Sequence, residues 1–397
     1  MMNHVMAGFG FGPIQAGLFV KEAHDTGDFE RIVVSEIDPE IVHAVKENGN
    51  CYALNIAHGS GVETVKIKNV ELVNPADPED RKILLNSLAS ATEIVTSLPS
   101  VMYYNVGEHS VASLIAESFE TRKDQSALIY TAENNNRAAE MLEQIVGART
   151  ELEGSPIQFV NTVIGKMSRT VTDTSEIKAL DIAPVAPGLD RAFLVEEFNH
   201  ILVEKTNLSG FKPGIDVFEK KEDLLPFQEA KLYGHNAVHA LIGFLGLQKG
   251  YSIFSEIGDD PQISALARDA FLLESGVALL HRHGGEDPLF TEDGFRDYAD
   301  DLLKRMFNPY LHDNTQRVTR DPLRKLGWND RIIGTINLAL EAGITPVRFI
   351  ATAKAALALV QAQQPGRTPE SILTDAWSPD TNDSILVQQM TDLLLAP

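Results

Sequence analysis

Val5-Met6-Ala7 is a short apolar run that leads straight into Gly8-Phe9-Gly10-Phe11-Gly12-Pro13-Ile14-Gln15-Ala16-Gly17. A buried strand that breaks into glycines and resumes as a helix is compatible with few folds. The glycines let backbone N–H groups approach an anion, and the helix N-terminus adds favourable partial charge, which suits a pyrophosphate. The third glycine of the usual G-x-G-x-x-G spacing is missing: Pro13 takes its place and Gly12 comes one residue early. Pro13 fits the first turn of a helix, where its absent N–H costs little. Alone, such a loop is equally compatible with a structural turn. The second β-rich run, Arg31-Ile32-Val33-Val34-Ser35-Glu36, narrows the choice by ending in an acid 23 residues beyond Pro13. In a βαβ unit that position faces the adenosine ribose. A carboxylate there would repel a 2′-phosphate, so the expected cofactor is NAD rather than NADP. The alternative for Glu36 and Asp38 is a solvated turn ahead of a helix starting near Pro39.

Glu93–Ser97 and Ser126–Thr131 read as further strands, alternating with helical stretches at Val111–Phe119 and Arg137–Val146. This alternation predicts a parallel, doubly wound sheet, whose ligands bind beyond the strand C-termini. Ser97-Leu98-Pro99-Ser100 and the loop from Ala132 through Glu133 and Asn134 to Arg137 would then lie on the cofactor side. Ordinary turn chemistry accounts for such polar residues equally well. A Pro/Thr/Asp-rich passage at 170–188 reads as a crossover, and beyond it helical apolar spacing dominates at 229–246, 263–281, 296–307, 330–342 and 347–361. The expected fold is therefore an α/β Rossmann-type doubly wound sheet at residues 1–188, followed by a mainly α-helical domain at 189–397. A few strands are expected within 193–218.

The formal net charge of −22 argues against nucleic-acid or anionic-membrane partners, which need a basic face. The single cysteine, Cys51, excludes an intramolecular disulfide and a cysteine-based zinc cage. There is no basic-then-apolar leader at Met1–Val20 and no apolar run of the ~20 residues that span a bilayer, so the expected location is cytoplasmic.

Lys231-Leu232-Tyr233-Gly234-His235-Asn236-Ala237-Val238-His239 carries the chemistry. At about 100° per residue, Lys231, His235, His239 and Asn236 fall near 0°, 40°, 80° and 140°, sharing one side of a helix, while Leu241, Leu245 and Val238 form the adjoining apolar stripe. Desolvation would lower the lysine pKa and make it a candidate general base. A snorkelling lysine beside a satisfied core histidine explains the spacing equally well. His235 and His239 lack a neighbouring third ligand of the His-Glu-x-x-His kind, and no metal site is expected. Further on, five cations crowd positions 317–331: Arg317, Arg320, Arg324, Lys325 and Arg331. Such a cluster suits a phosphate or carboxylate. The alternative is a solvated loop ahead of a helix capped by Asn329 or Asp330.

Lys231-x4-Asn236-x2-His239 resembles the signature of the polyol-specific long-chain dehydrogenases, the mannitol dehydrogenase family. Phe159-Val160-Asn161 resembles that family's Phe-Pro-Asn element, and Glu133-Asn134 its acid-Asn element. Asn308-Pro309-Tyr310-Leu311, Arg317-Val318 and Arg320-x-Pro322-Leu323-Arg324-Lys325-Leu326 resemble its sugar-phosphate branch. The resemblance implies metal-independent, NAD-dependent interconversion of a polyol and its ketose, best matched by mannitol 1-phosphate and fructose 6-phosphate, in a cleft between the two domains. It makes Lys231 the general acid/base, Asn161 and Asn236 donors to the developing alkoxide, and His239 a substrate-orienting group. Arg317 and Lys325, with Arg320 or Arg324, would hold the substrate's distal end. Gly8, Gly10, Gly12, Pro13, Glu36, Ser97, Glu133 and Asn134 are the cofactor-binding candidates. The expected partner is the small sugar or polyol phosphate, and the expected assembly a monomer or small homo-oligomer. Alternatives are a sibling reductase acting on fructuronate, tagaturonate, or unphosphorylated mannitol or arabinitol, and a non-catalytic dinucleotide-binding protein.

Overall fold

The computed structural model describes residues 4–122, 125–378, 380–381 and 383–396. The chain divides into two compact units, 1–225 and 226–397.

In the first unit, β1 (His4–Phe9), β2 (Phe29–Ser35), β5 (Val70–Val73), β6 (Glu93–Thr96), β7 (Ala127–Thr131) and β8 (Ile157–Ile164) form a parallel sheet. Their order, β5-β2-β1-β6-β7-β8, reverses direction between β1 and β6. This is the doubly wound order whose ligand crevice lies at the reversal. Helices at Pro78–Ser90, Val111–Phe119 and Ala138–Gly147 pack one face, with Leu84, Leu88, Ile115 and Leu142 fully buried. Burial on both faces explains why β1 is buried throughout and carries no polar alternation after His4. β11 (Ile201–Glu204) and β12 (Phe218–Lys221) extend the sheet beyond β8, β11 running antiparallel to it. A second sheet, in the order β4-β3-β10-β9, is built from β3 (Tyr52–Ala57), β4 (Val62–Ile67), β10 (Ala192–Glu196) and β9 (Ser168–Val171).

β1, β2, β6, β7 and the helices Val111–Phe119 and Ala138–Gly147 fall where the apolar patterning placed them, whereas β5, β8 and the helix Pro78–Ser90 were not assigned from sequence. The extent of the unit differs: it runs to Leu225 rather than ending at 188. The strands expected within 193–218 are β10, β11 and the start of β12, and they complete the two sheets of the first unit. The Pro/Thr/Asp-rich passage at 170–188 is thus internal to that unit and includes a helix at Thr174–Ala179.

The second unit is helical. Leu225–Glu229, Ala230–Asn236 and Ala237–Gln248 run on as one rod, whose last part is buried almost all round. A helix apolar on every side belongs at a centre. Thr315–Thr319, Val347–Gln363, Phe254–Gly258 and Pro261–Ala270 pack around it. Gly243 admits one neighbour closely: a Cβ there would lie 2.7 Å from Val318 Cγ1. Trp328 and Trp377 meet edge to face at 5.3 Å, and buried Trp377 donates its indole N–H to the Leu326 carbonyl at 2.8 Å. Among the described residues no helix is long and apolar enough to cross a membrane.

Candidate active site

The first cluster of site residues sits at the C-terminal edge of the parallel sheet. The chain leaves β1 through Gly10, whose φ of +81° is left-handed backbone that favours glycine. A Cβ at Gly10 would also stand 2.6 Å from the Ser97 carbonyl oxygen at the end of β6. The reversal of strand order thereby brings the loops after β1 and β6 into contact, and Ser97 N–H donates to the Phe9 carbonyl at 3.0 Å. Pro13 lies in the first helical turn, as its fixed φ predicts. Gly12 has open space around its would-be Cβ, so packing does not require it. Close helix packing falls instead to Gly17, where a Cβ would stand 2.6 Å from Val195 Cγ1.

Glu36 directly follows β2 and folds back on the glycine loop, accepting from Phe11 N–H at 2.8 Å and Asp38 N–H at 2.9 Å. Asp38 caps the helix Pro39–Glu47 by accepting from Glu40 N–H, which is the turn role open to it from sequence. Glu133, at the end of β7, is buried and turned toward the protein. Its carboxylate accepts from Leu98 N–H (2.8 Å), Thr96 Oγ1 (2.8 Å) and Tyr104 Oη (2.5 Å). Burial raises its pKa above the ordinary value against these stabilising donors. Glu133 thus clamps the loop that begins Ser97-Leu98-Pro99, while Asn134 is exposed on the neighbouring loop. Asn161 stands inside β8 as a buried amide with partners. Nδ2 donates to Glu140 (2.9 Å) and Glu204 (3.2 Å), and Oδ1 accepts from Ala139 N–H at 2.9 Å, in the first turn of Ala138–Gly147.

The second cluster lies within the helical unit. Lys231, His235 and Asn236 occupy a π-helical segment, Ala230–Asn236, which the 3.6-residue period does not anticipate. In an α-helix Lys231 and Asn236 would stand about 140° apart. Bonding from i to i+5 makes them neighbours across one turn. The Tyr233 carbonyl inside this segment accepts from the buried Ser275 hydroxyl at 2.8 Å and lies 3.3 Å from Thr335 Oγ1. Burial, and secondarily the Arg331 guanidinium, lower the Lys231 pKa to about 8. Burial likewise holds His235 well below its ordinary value, so that imidazole is neutral.

His239 Nε2 lies 2.8 Å from Asp313 Oδ2, and its ring meets Phe254 edge-on at 4.7 Å. Arg317 grips the same carboxylate through Nε (2.8 Å) and Nη2 (2.7 Å). Two acids therefore divide the cation cluster: Asp313 takes Arg317, and Asp330 takes Arg324 (3.0 Å) and Arg331 (2.8 Å). Asp330 is a counter-ion and not a helix cap, because the following helix begins only at Ile333. Lys325 is buried, donates to the Arg320 carbonyl, and has its pKa lowered to about 8 by burial and then by Arg324 and Arg331. Arg320 and Arg324 are exposed. Asp313 and Ser275 are residues that sequence reasoning missed, and Arg331, counted in the cation cluster, was given no role of its own beside Lys231. Asp313 and Arg331 lie inside the charged stretch, where only a pairing rule could have separated ligands from counter-ions. Ser275 carries no local signal. Among the described residues no three His, Cys, Asp or Glu side chains are grouped to hold a metal.

Residues 223–388 match the family model described as the mannitol dehydrogenase C-terminal domain. More particularly, the chain is similar to two proteins named mannitol-1-phosphate 5-dehydrogenase. The one from Halalkalibacterium halodurans is 29% identical over 355 residues, covering 88% of this chain and 87% of that protein. The one from Buchnera aphidicola (subsp. Acyrthosiphon pisum) is 28% identical over 329 residues, covering 82% and 78%. The fold is also that of two solved structures. A ternary complex of Pseudomonas fluorescens mannitol 2-dehydrogenase with NAD and D-mannitol aligns with a TM-score of 0.69 at 16% identity, over 91% of this chain and 80% of that one. A substrate-free D-sorbitol dehydrogenase aligns with a TM-score of 0.75 at 15% identity, over 98% and 92%.

Proposed function

We propose that this protein is an NAD-dependent polyol oxidoreductase that interconverts mannitol 1-phosphate and fructose 6-phosphate. The carrying observation is Lys231, with its pKa lowered to about 8, on a π-helical turn beside Asn236. The donor set at the C-terminal edge of the sheet fits a dinucleotide. Gly10 lets the backbone come close, the helix at Pro13 opens N-terminal N–H groups toward an anion, and Glu36 disfavours a 2′-phosphate. Bound as NADH, the cofactor supplies the hydride. The chain's own residues handle the proton and the charge. In ketose reduction the Lys231 ammonium donates a proton to the oxygen that becomes the hydroxyl, and in polyol oxidation neutral Nζ removes it. Asn236 Nδ2–H donates to the oxygen as negative charge develops, a preorganised contact that gains strength away from water. Asn161 Nδ2, the other donor expected from the resemblance, already donates to Glu140 and Glu204 within its own unit. His239 orients a neighbouring hydroxyl, and Lys325 and Arg317 hold the phosphate, with Arg320 and Arg324 at the exposed rim.

The test is NADH oxidation with fructose 6-phosphate, fructose, fructuronate and tagaturonate side by side. Strong preference for fructose 6-phosphate, and a loss of roughly 10³-fold or more in Lys231→Ala with NADH binding retained, is the expected result. Preference for fructuronate or tagaturonate would reassign the cations to a carboxylate. Preference for fructose would remove the phosphate role altogether. Wild-type turnover in Lys231→Ala would remove the lysine from the mechanism.

A further inference from the structure

Asp313 is only 5% exposed, and its carboxylate is saturated. It accepts from His239 Nε2 (2.8 Å), from Arg317 Nε (2.8 Å) and Nη2 (2.7 Å), and from Asn314 N–H (2.9 Å). A carboxylate offers about four acceptor positions, and four are taken, leaving none for a ligand. Donors of this strength hold Asp313 well below the usual carboxylate range despite its burial. An ionised carboxylate can only accept. The ring nitrogen facing it must therefore carry the hydrogen, and the other nitrogen of a neutral imidazole is left as an acceptor.

We propose that Asp313 is a positioning residue that locks His239 as the Nε2–H tautomer, so that Nδ1 accepts a hydrogen bond from a substrate hydroxyl, and that it holds Arg317 in register with that ring. The placement follows from the packing of the central rod. Close approach at Gly243 seats Val318, and with it the helix Thr315–Thr319, against Ala237–Gln248, while Asp313 lies just before that helix. The His239–Phe254 contact and the hydrogen bond from Phe254 N–H to the Asp313 carbonyl (2.9 Å) fix the ring and the acid to one wall. Arg317 spends two of its five N–H donors on Asp313 and keeps three for an anion. Its neutralised charge makes Lys325 the stronger point of attraction for a phosphate. This role rests on the reading of His239 as a substrate-orienting group.

The Asp313→Asn variant tests it. The amide oxygen can keep Arg317 Nε and Asn314 N–H, so Nδ2 turns to His239 and donates to Nε2. The imidazole is then driven to the Nδ1–H tautomer, with a donor where the substrate needs an acceptor. Nitrogen-15 spectra of the full-length protein, with His239 identified by its loss in His239→Gln, should show Nε2 protonated in the wild type and Nδ1 protonated in Asp313→Asn. Turnover of the preferred ketose should fall on the order of 100-fold in kcat/KM, as expected for a wrong tautomer, with the KM for NADH unchanged. Arg317→Gln should raise the KM for the phosphorylated ketose yet leave the tautomer as in the wild type. Protonated Nδ1 in the wild type, or full turnover in Asp313→Asn, overturns the proposal. The wild-type spectrum needs no variant to fold and no substrate. A protein inert toward every ketose would remove the reaction proposed above while the spectrum still decides the tautomer.

Discussion

With Lys231 as the proposed general acid/base, the pH behaviour of the protein should depend on the direction of the reaction. The Lys231 pKa of about 8 comes first from burial and then from the Arg331 guanidinium. Polyol oxidation requires the neutral amine, so its kcat should rise with pH and level off above about 8. Ketose reduction requires the ammonium, so its kcat should hold at lower pH and fall through the same region. Replacing Arg331 with Gln removes a neighbouring cation and should move both inflections to higher pH, the two curves remaining mirror images. Stopped-flow rates in both directions across pH 6–10 would check this, and profiles without an inflection near 8 would argue against the lysine. The spacing of Lys231, His235 and His239 marked the lysine as a candidate, though it fitted a snorkelling lysine equally well. Asp313 and the role of Arg331 were not legible, because a run of charges does not say which members pair with each other.

At the scale of elements, apolar runs and turn residues made β1, β2, β6 and β7 readable, while β5, β8 and the hairpin of β3 and β4 went unassigned. Val62-Glu63-Thr64-Val65-Lys66-Ile67 is half-exposed and charged, so the apolar run that marks a doubly buried strand is absent. The π-helical segment at Ala230–Asn236 was invisible for another reason. An i→i+5 turn depends on remote hydroxyls such as Ser275, not on local spacing. Glu133, expected at the cofactor, instead ties down the loop that starts at Ser97, a role only tertiary structure could assign. Gly10 gives this scale its prediction. Ala at Gly10 meets both a left-handed φ and the Ser97 carbonyl. It should destabilise the protein by roughly 1–3 kcal/mol and weaken NADH binding at least ~10-fold. Calorimetric titration with NADH and thermal melts would measure both, and wild-type affinity would contradict the loop's cradling role.

For the molecule as a whole, stability carries a pH dependence of its own. Glu93, fully buried on β6, accepts from Gly214 N–H at 2.6 Å and Tyr130 Oη at 3.1 Å, and burial raises its pKa from 4.5 to about 7. The folded state therefore holds this proton more tightly than the unfolded chain. Its contribution is complete below about pH 4.5 and is lost as pH rises through about 7, amounting to on the order of 3 kcal/mol. The Glu93→Gln variant should keep the contacts and flatten that fall in the melting temperature, and an unchanged slope would exclude Glu93 as its source.

The pairing of Trp328 with Trp377 has an optical consequence. These are the chain's two tryptophans, and both belong to the second unit, with Trp377 bonded to the carbonyl of Leu326, next in sequence to Lys325. Indole emission therefore reports on the helical unit alone, while circular dichroism sees both. Denaturation followed by the two signals should reveal whether the halves unfold as one or separately. Titration with inorganic phosphate should change the emission if the anion settles near Lys325.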